Sequence, residues 1–171
     1  MSSFLSSLFP KKGNDSLDMR ATILVSQAHA AAVSSFVPFL DRFPALQNVE
    51  VKEWDRTVTM SVVFIATMQL NRLKETTARK EHLMSIVLNK LLEWDDSSFP
   101  VLQECKAVFD QECESSNSGI EPRLVLADTL GVWVLFKLLG RRASSQNEAE
   151  LGRTIGLLTM QHASEYWQVE K

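Results

Sequence analysis

The chain holds only two cysteines, six glycines and one tyrosine among its 171 residues, and these scarcities close off several kinds of chemistry. Cys105 and Cys113 stand eight residues apart in one helical stretch, about 12 Å at ~1.5 Å per residue, beyond the ~7 Å that a disulfide spans. Two unbridged thiols in apolar surroundings suit a reducing compartment, so a cytoplasmic location is expected. The glycines are scattered, with none in a G-x-G-x-x-G or G-K-S/T setting, so a nucleotide enzyme is disfavoured. Positive charge is short as well: 18 Lys plus Arg against 21 Asp plus Glu gives a net charge of −3, with no excess to hold a phosphate backbone. Nucleic acid is therefore not an expected partner. No basic stretch precedes the first apolar residues, since Lys11 and Lys12 follow them, so no signal peptide is expected. No segment alternates with period two between turn signals, so no sheet is expected.

What is present is helix-forming sequence. Apolar residues make up 45% of the chain and charged ones 23%, the balance of a folded domain rather than a disordered one. The periodicity predicts an all-α, single-domain bundle of about six helices over residues 15–171, preceded by a short amphipathic helix in residues 1–14. Asp15 or Ser16 caps the first long helix, which is expected to run to about Phe36 before Pro38 and Pro44 kink or end it. The second spans about 49–74 and is apolar on nearly every side between 58 and 70, which places it at the centre. Thr76 or Thr77 starts the third, with Met84, Val87, Leu88 and Leu91 on one face. The fourth, capped by Ser97 or Ser98, turns Val101, Leu102, Cys105, Val108 and Phe109 inward and stops at a polar loop, residues 114–119, the expected site of proteolysis. The fifth opens at Pro122 and closes at Gly140, and the sixth starts at Ser144 or Ser145 with Leu151, Ile155, Leu158, His162, Tyr166 and Val169 on one stripe.

Residues 21–40 carry no formal charge over the length of a membrane span, yet Ser26, Gln27, His29, Ser34, Ser35 and Pro38 make them too polar for hydrocarbon. They read as a buried helix of a soluble domain. Residues 62–92 and 133–160 echo one another as apolar helix, basic end, polar loop and amphipathic helix, without the signature of a helical repeat family.

Few residues offer chemistry. His29 and His162 fall on apolar stripes, His162 lies three residues before Glu165, and Asp128 has apolar neighbours at helical spacing. These four, His29, Asp128, His162 and Glu165, are the candidate buried polar groups, whereas His82 lies on a polar face. The spacing lacks the His-x-x-x-His, Cys-x-x-Cys and doubled Glu-x-x-His patterns of metal sites, so neither metal nor cofactor is expected. Basic residues gather at two helix junctions, Arg72, Lys74, Arg79 and Lys80, then Lys137, Arg141, Arg142 and Arg153. The macrodipole accounts for part of each.

The N-terminal segment is the most suggestive. Phe4, Leu5, Leu8 and Phe9 form one apolar face ended by Pro10, and Lys11 and Lys12 follow at once, a layout that suits a helix folded back on the core of its own domain or an anchor for a partner groove or an anionic surface. The expected function is a non-enzymatic interaction or regulatory module whose partner is another protein. Peripheral membrane association and self-association are further expectations, and exposed tryptophans among Trp54, Trp94, Trp133 and Trp167 are candidate anchors. One rival is a bundle holding a small apolar ligand among Met60, Phe64, Met68, Met84 and Phe136. The other is a helical metal-dependent enzyme using the four polar candidates.

Overall fold

The computed structural model describes residues 16–115 and 122–167, and within them the chain forms six α-helices and no strand. They are α1 (Leu17–Arg42), α2 (Val51–Leu70), α3 (Thr77–Trp94), α4 (Ser98–Ser115), α5 (Pro122–Leu139) and α6 (Gln146–Tyr166), with a single 3-10 turn at Pro44–Leu46. Local signals set most ends. The hydroxyls of Ser16, Thr76 and Ser145 accept from the backbone N–H of Met19, Arg79 and Glu148, each satisfying a donor that the first turn leaves unpaired. Gly140 closes α5 at a φ of 70°, the left-handed conformation that favours glycine. The 1–14 segment, Val169 and most of the 114–119 loop lie outside the described residues.

The first helix departs from expectation. It runs through Pro38 to Arg42, and Pro44 rather than Pro38 stops it, forcing Phe43 into an extended conformation. Proline at 38 costs one backbone hydrogen bond, but the next turn carries Phe39, whose burial offsets the loss. Phe36 and Phe39 both pack on Trp54, and Phe39 also stacks on Phe43.

Helix α2 lies at the centre and touches every other helix, which explains why residues 57–67 are buried on all sides. Helices α1 and α6 flank it, and Trp54 and Trp167 donate their indole N–H to the carbonyls of Ala32 and Ala66 across those contacts. Phe109 on α4 meets Phe64 edge-on. The ends of α1 and α6 are bound reciprocally: the buried Arg20 guanidinium donates to the Tyr166 carbonyl, and the Tyr166 hydroxyl donates to the Arg20 carbonyl at 2.7 Å. The echo between 62–92 and 133–160 does not extend to packing, because α5 and α6 lie along each other whereas α3 rests chiefly on α1.

Helices α5 and α6 meet at backbone distance. Ala127 and Gly131 on one face Gly152 and Gly156 on the other, both pairs at i, i+4 spacing. A Cβ at Gly156 would stand 2.2 Å from the Ala127 carbonyl oxygen, and one at Gly131 2.7 Å from the Gly152 carbonyl carbon. Gly156→Ala must push the helices apart, with an expected cost of about 3 kcal/mol. Gly140→Ala meets no neighbour and carries only a left-handed backbone penalty of about 1 kcal/mol. Urea midpoints of the two variants check the order, and a Gly156→Ala protein as stable as the parent contradicts the close crossing.

Candidate docking groove

The structure disperses the candidate polar residues. His29 is half-buried, its side chain 41% exposed, and Nδ1 lies 2.8 Å from Asp55 Oδ1 while the ring tilts against Trp94. His162, also half-buried, lines a narrow cleft between α1, α2 and α6 with Ala31, Ser35 and Trp54. Ala31 and Ser35 sit on the flank of α1 opposite His29, so the two histidines occupy different sides of that helix. Asp128, a candidate for partial burial, is half-buried, its side chain 38% exposed, and pairs in two-pronged fashion with Arg153 of α6, both contacts at 2.7 Å. The Glu165 side chain lies outside the described residues, and among those described no three His, Cys, Asp or Glu side chains converge as metal ligands. Outward-facing His82 bonds Asp18, as a polar face implies.

The tryptophans also fall differently. Trp54, Trp133 and Trp167 are core residues, and only Trp94 is partly exposed. Their large apolar area favours the interior once α2 offers it on all sides. The residues proposed to surround a ligand are dispersed as well: Met60 and Phe64 are buried, while Met68 and Phe136 reach solvent. The cleft beside His162 measures about 30 Å³, room for little more than a water molecule. Cys105 is buried and unbridged, and desolvation pushes its thiol well above its ordinary pKa, which makes it a poor nucleophile.

The second basic junction is neutralised by ion pairs, whereas in the first only Arg79 has one among the described residues and Arg72 and Lys74 are exposed. Arg79 clasps Asp18, Lys80 donates to the Asn71 carbonyl, Lys137 meets Glu104, Arg141 meets Glu148 and Arg142 meets Glu112. A depression beside the α5–α6 crossing is lined by Asp128, Arg142, Glu150 and Arg153, all engaged in ion pairs. Little charge there awaits a ligand.

A second depression, about 700 Å³, has a different character. Leu70 from the end of α2 forms its floor, Met84, Leu88 and Leu92 from α3 its length, and Phe99 from α4 its far wall. Leu92 and Phe99 are 45% and 42% exposed. The core contact of α3 uses Leu83, Val87 and Leu91, so the apolar arc from 83 round to 92 covers about half the circumference at ~100° per residue. Met84 and Leu88, expected on one face with Val87 and Leu91, lie at the edge of that face and line this groove, and Met84 also packs against the core. The signal was in the sequence: one core contact needs a stripe of only ~100°, and α3 carries almost twice that.

Comparison with known protein families, with curated proteins and with solved structures returned no match to this chain.

The ion pair behind the second basic junction sets a pH dependence. Glu148 accepts from both Arg141 Nη atoms at 2.7 Å and from the Ser144 N–H and hydroxyl at 2.7 and 2.9 Å. Arg141, then Ser144, hold its carboxyl down from the ordinary 4.5 to about 2. Because the folded pKa lies below the unfolded one, this contribution to stability is complete above pH 4.5 and disappears as pH falls toward 2. Glu148→Gln should therefore be less stable at neutral pH and lose less stability than the parent between those limits. Unfolding in urea across that range checks it; parallel curves for the two proteins contradict the assignment.

Proposed function

We propose that this domain is a protein-interaction module that takes an amphipathic helix of a partner protein into the groove between α3 and Phe99. The observation that carries the reading is the apolar line of Met84, Leu88 and Leu92 over a buried leucine floor, walled by an aromatic side chain. Residues at i, i+4 and i+8 on one helix present a straight channel, the counterpart of partner anchors at similar spacing. The rim is polar, with Thr77, Lys80, Glu81 and Asn89, and a polar rim around an apolar centre is the usual anatomy of a protein interface. Net charge of −3 and paired basic residues favour a protein over a nucleic acid. A free, buried Cys105 accords with a cytoplasmic setting.

A displayed library of amphipathic helical peptides, selected on the full chain, tests this. Selected peptides should carry apolar anchors on one face. They should bind Leu92→Asp at least about tenfold more weakly, equivalent to ~1.4 kcal/mol, while Val37→Asp, on an exposed α1 position (61%), should leave binding unchanged. Selected peptides that bind the Leu92→Asp protein as tightly as the parent place the docking site elsewhere.

A further inference from the structure

The groove has a candidate occupant within the same chain. We propose that the N-terminal segment, with Phe4, Leu5, Leu8 and Phe9 as its apolar face, seats in the α3 groove, so that a partner helix binds by displacing it. This inference rests on the groove being a helix-docking site.

Three observations favour that occupant. The first is where the chain enters the described fold. Asp18, two residues beyond the Ser16 cap, is bonded to Arg79 and His82 of α3, which pins the start of α1 against the same end of α3 that carries the groove's Thr77 and Lys80 rim. Residues 10–15 span up to about 20 Å when extended, enough to pass round a helix ~10–12 Å in diameter.

The second is dimension and chemistry. Coiled as a helix, residues 4–9 would present a face about 8 Å long, and Met84 to Leu92 present about 12 Å of apolar channel at ~1.5 Å per residue. Phe and Leu side chains on a two-turn helix match a channel of Met, Leu and Phe, and Pro10 ends such a helix where the channel ends.

Charge is the third. Lys11 and Lys12 follow the apolar face directly and would cross the crown of α3, where Glu75 and Glu81 are both exposed. Of the cations at this junction, Arg79 is held by Asp18 and Lys80 is drawn aside to the Asn71 carbonyl, while Arg72 and Lys74 are exposed beside Glu75. Glu81 also lies on the rim of the groove itself.

Tethering supplies what a two-turn helix lacks in intrinsic affinity. A short flexible connection raises the local concentration to the millimolar range, so even a weak contact fills the groove until a tighter helix competes. The apparent affinity for a partner then falls by the fraction of molecules whose groove is open.

The test uses the full chain carrying Ser3→Cys, with Cys113→Ser so that a nitroxide attaches at one place, and reads methyl signals by NMR. The expected result is strong attenuation at Met84, Leu88 and Leu92 but not at Val33 and Val37 on the outer face of α1. Adding Leu8→Asp should abolish it and tighten binding of a groove-selected peptide by about fivefold or more. Attenuation that passes from a labelled chain to an isotope-labelled second copy in a mixed sample overturns the intramolecular assignment in favour of exchange between copies. Absence of attenuation at the groove overturns it too, whether the segment stays free or carries the chain down with phosphatidylserine vesicles. Failure of every peptide to bind the Leu8→Asp chain, with the label still seated in its absence, sinks partner docking alone. Peptides that bind equally with and without Leu8→Asp, with no attenuation, sink the internal occupancy alone.

Discussion

The contact on which the other packing depends is the one between two backbones. Where α5 and α6 cross, Gly131, Gly152 and Gly156 leave the helices with only main chain between them, and Ala127 completes the i, i+4 pair. Close approach gains dispersion along the whole crossing and brings the two helices together as one wall. Leu130, Trp133 and Val134 from α5 and Leu151 and Ile155 from α6 then form part of one continuous core with α2. A single methyl in the crossing would separate that surface into two, and α2 would lose the enclosure that its all-round apolar sequence requires. The far end of α6 completes the shell, since Tyr166 and Trp167 tie it to Arg20 of α1 and Ala66 of α2.

Around that core the charges are arranged as pairs between helices. Asp18 with Arg79, Arg42 with Glu150, Arg56 with Asp95, Lys137 with Glu104, Arg142 with Glu112 and Arg153 with Asp128 each join two elements or an element to its connection. Exposed pairs of this kind contribute about 0–1 kcal/mol apiece, so their larger consequence is for recognition. Among the described residues ion pairs take up most of the basic side chains, and the groove on α3 stands out from them by its apolar lining. A helix with an apolar arc twice the width of one contact leaves apolar surface in water, which is the physical basis for the proposal that the groove is a docking site.

Local chemistry made much of the fold legible in advance. The Ser16 and Thr76 caps, the Ser145 cap, Pro122 in a first turn and Gly140 at a C-terminus are interactions within four residues, and their spacing alone identifies them. The central position of α2 was legible for a similar reason, because an apolar surface on all sides admits only one location. The site was less legible. Periodicity places Met84 and Leu88 on one face with Val87 and Leu91 but does not say which of them meet the core and which a groove, because it measures apolarity and not what lies opposite. Leu92 and Phe99 were not distinguished at all, since the wall of the groove comes from a different helix.

The sequence by itself determined that this chain is helical, roughly where each helix starts and stops, and which helix lies inside. Tertiary structure decided the rest: that α1 continues through Pro38 because Phe39 and Phe43 reach a core, that three tryptophans turn inward, and that the partner of Asp128 is Arg153. It also decided that three scattered glycines mark one crossing. The reason is the range of the forces involved. A cap or a proline acts on its neighbours in the chain, whereas Arg20 finds Tyr166 across 146 residues and Trp167 finds Ala66 across 101, and such partners exist only once every helix has been placed.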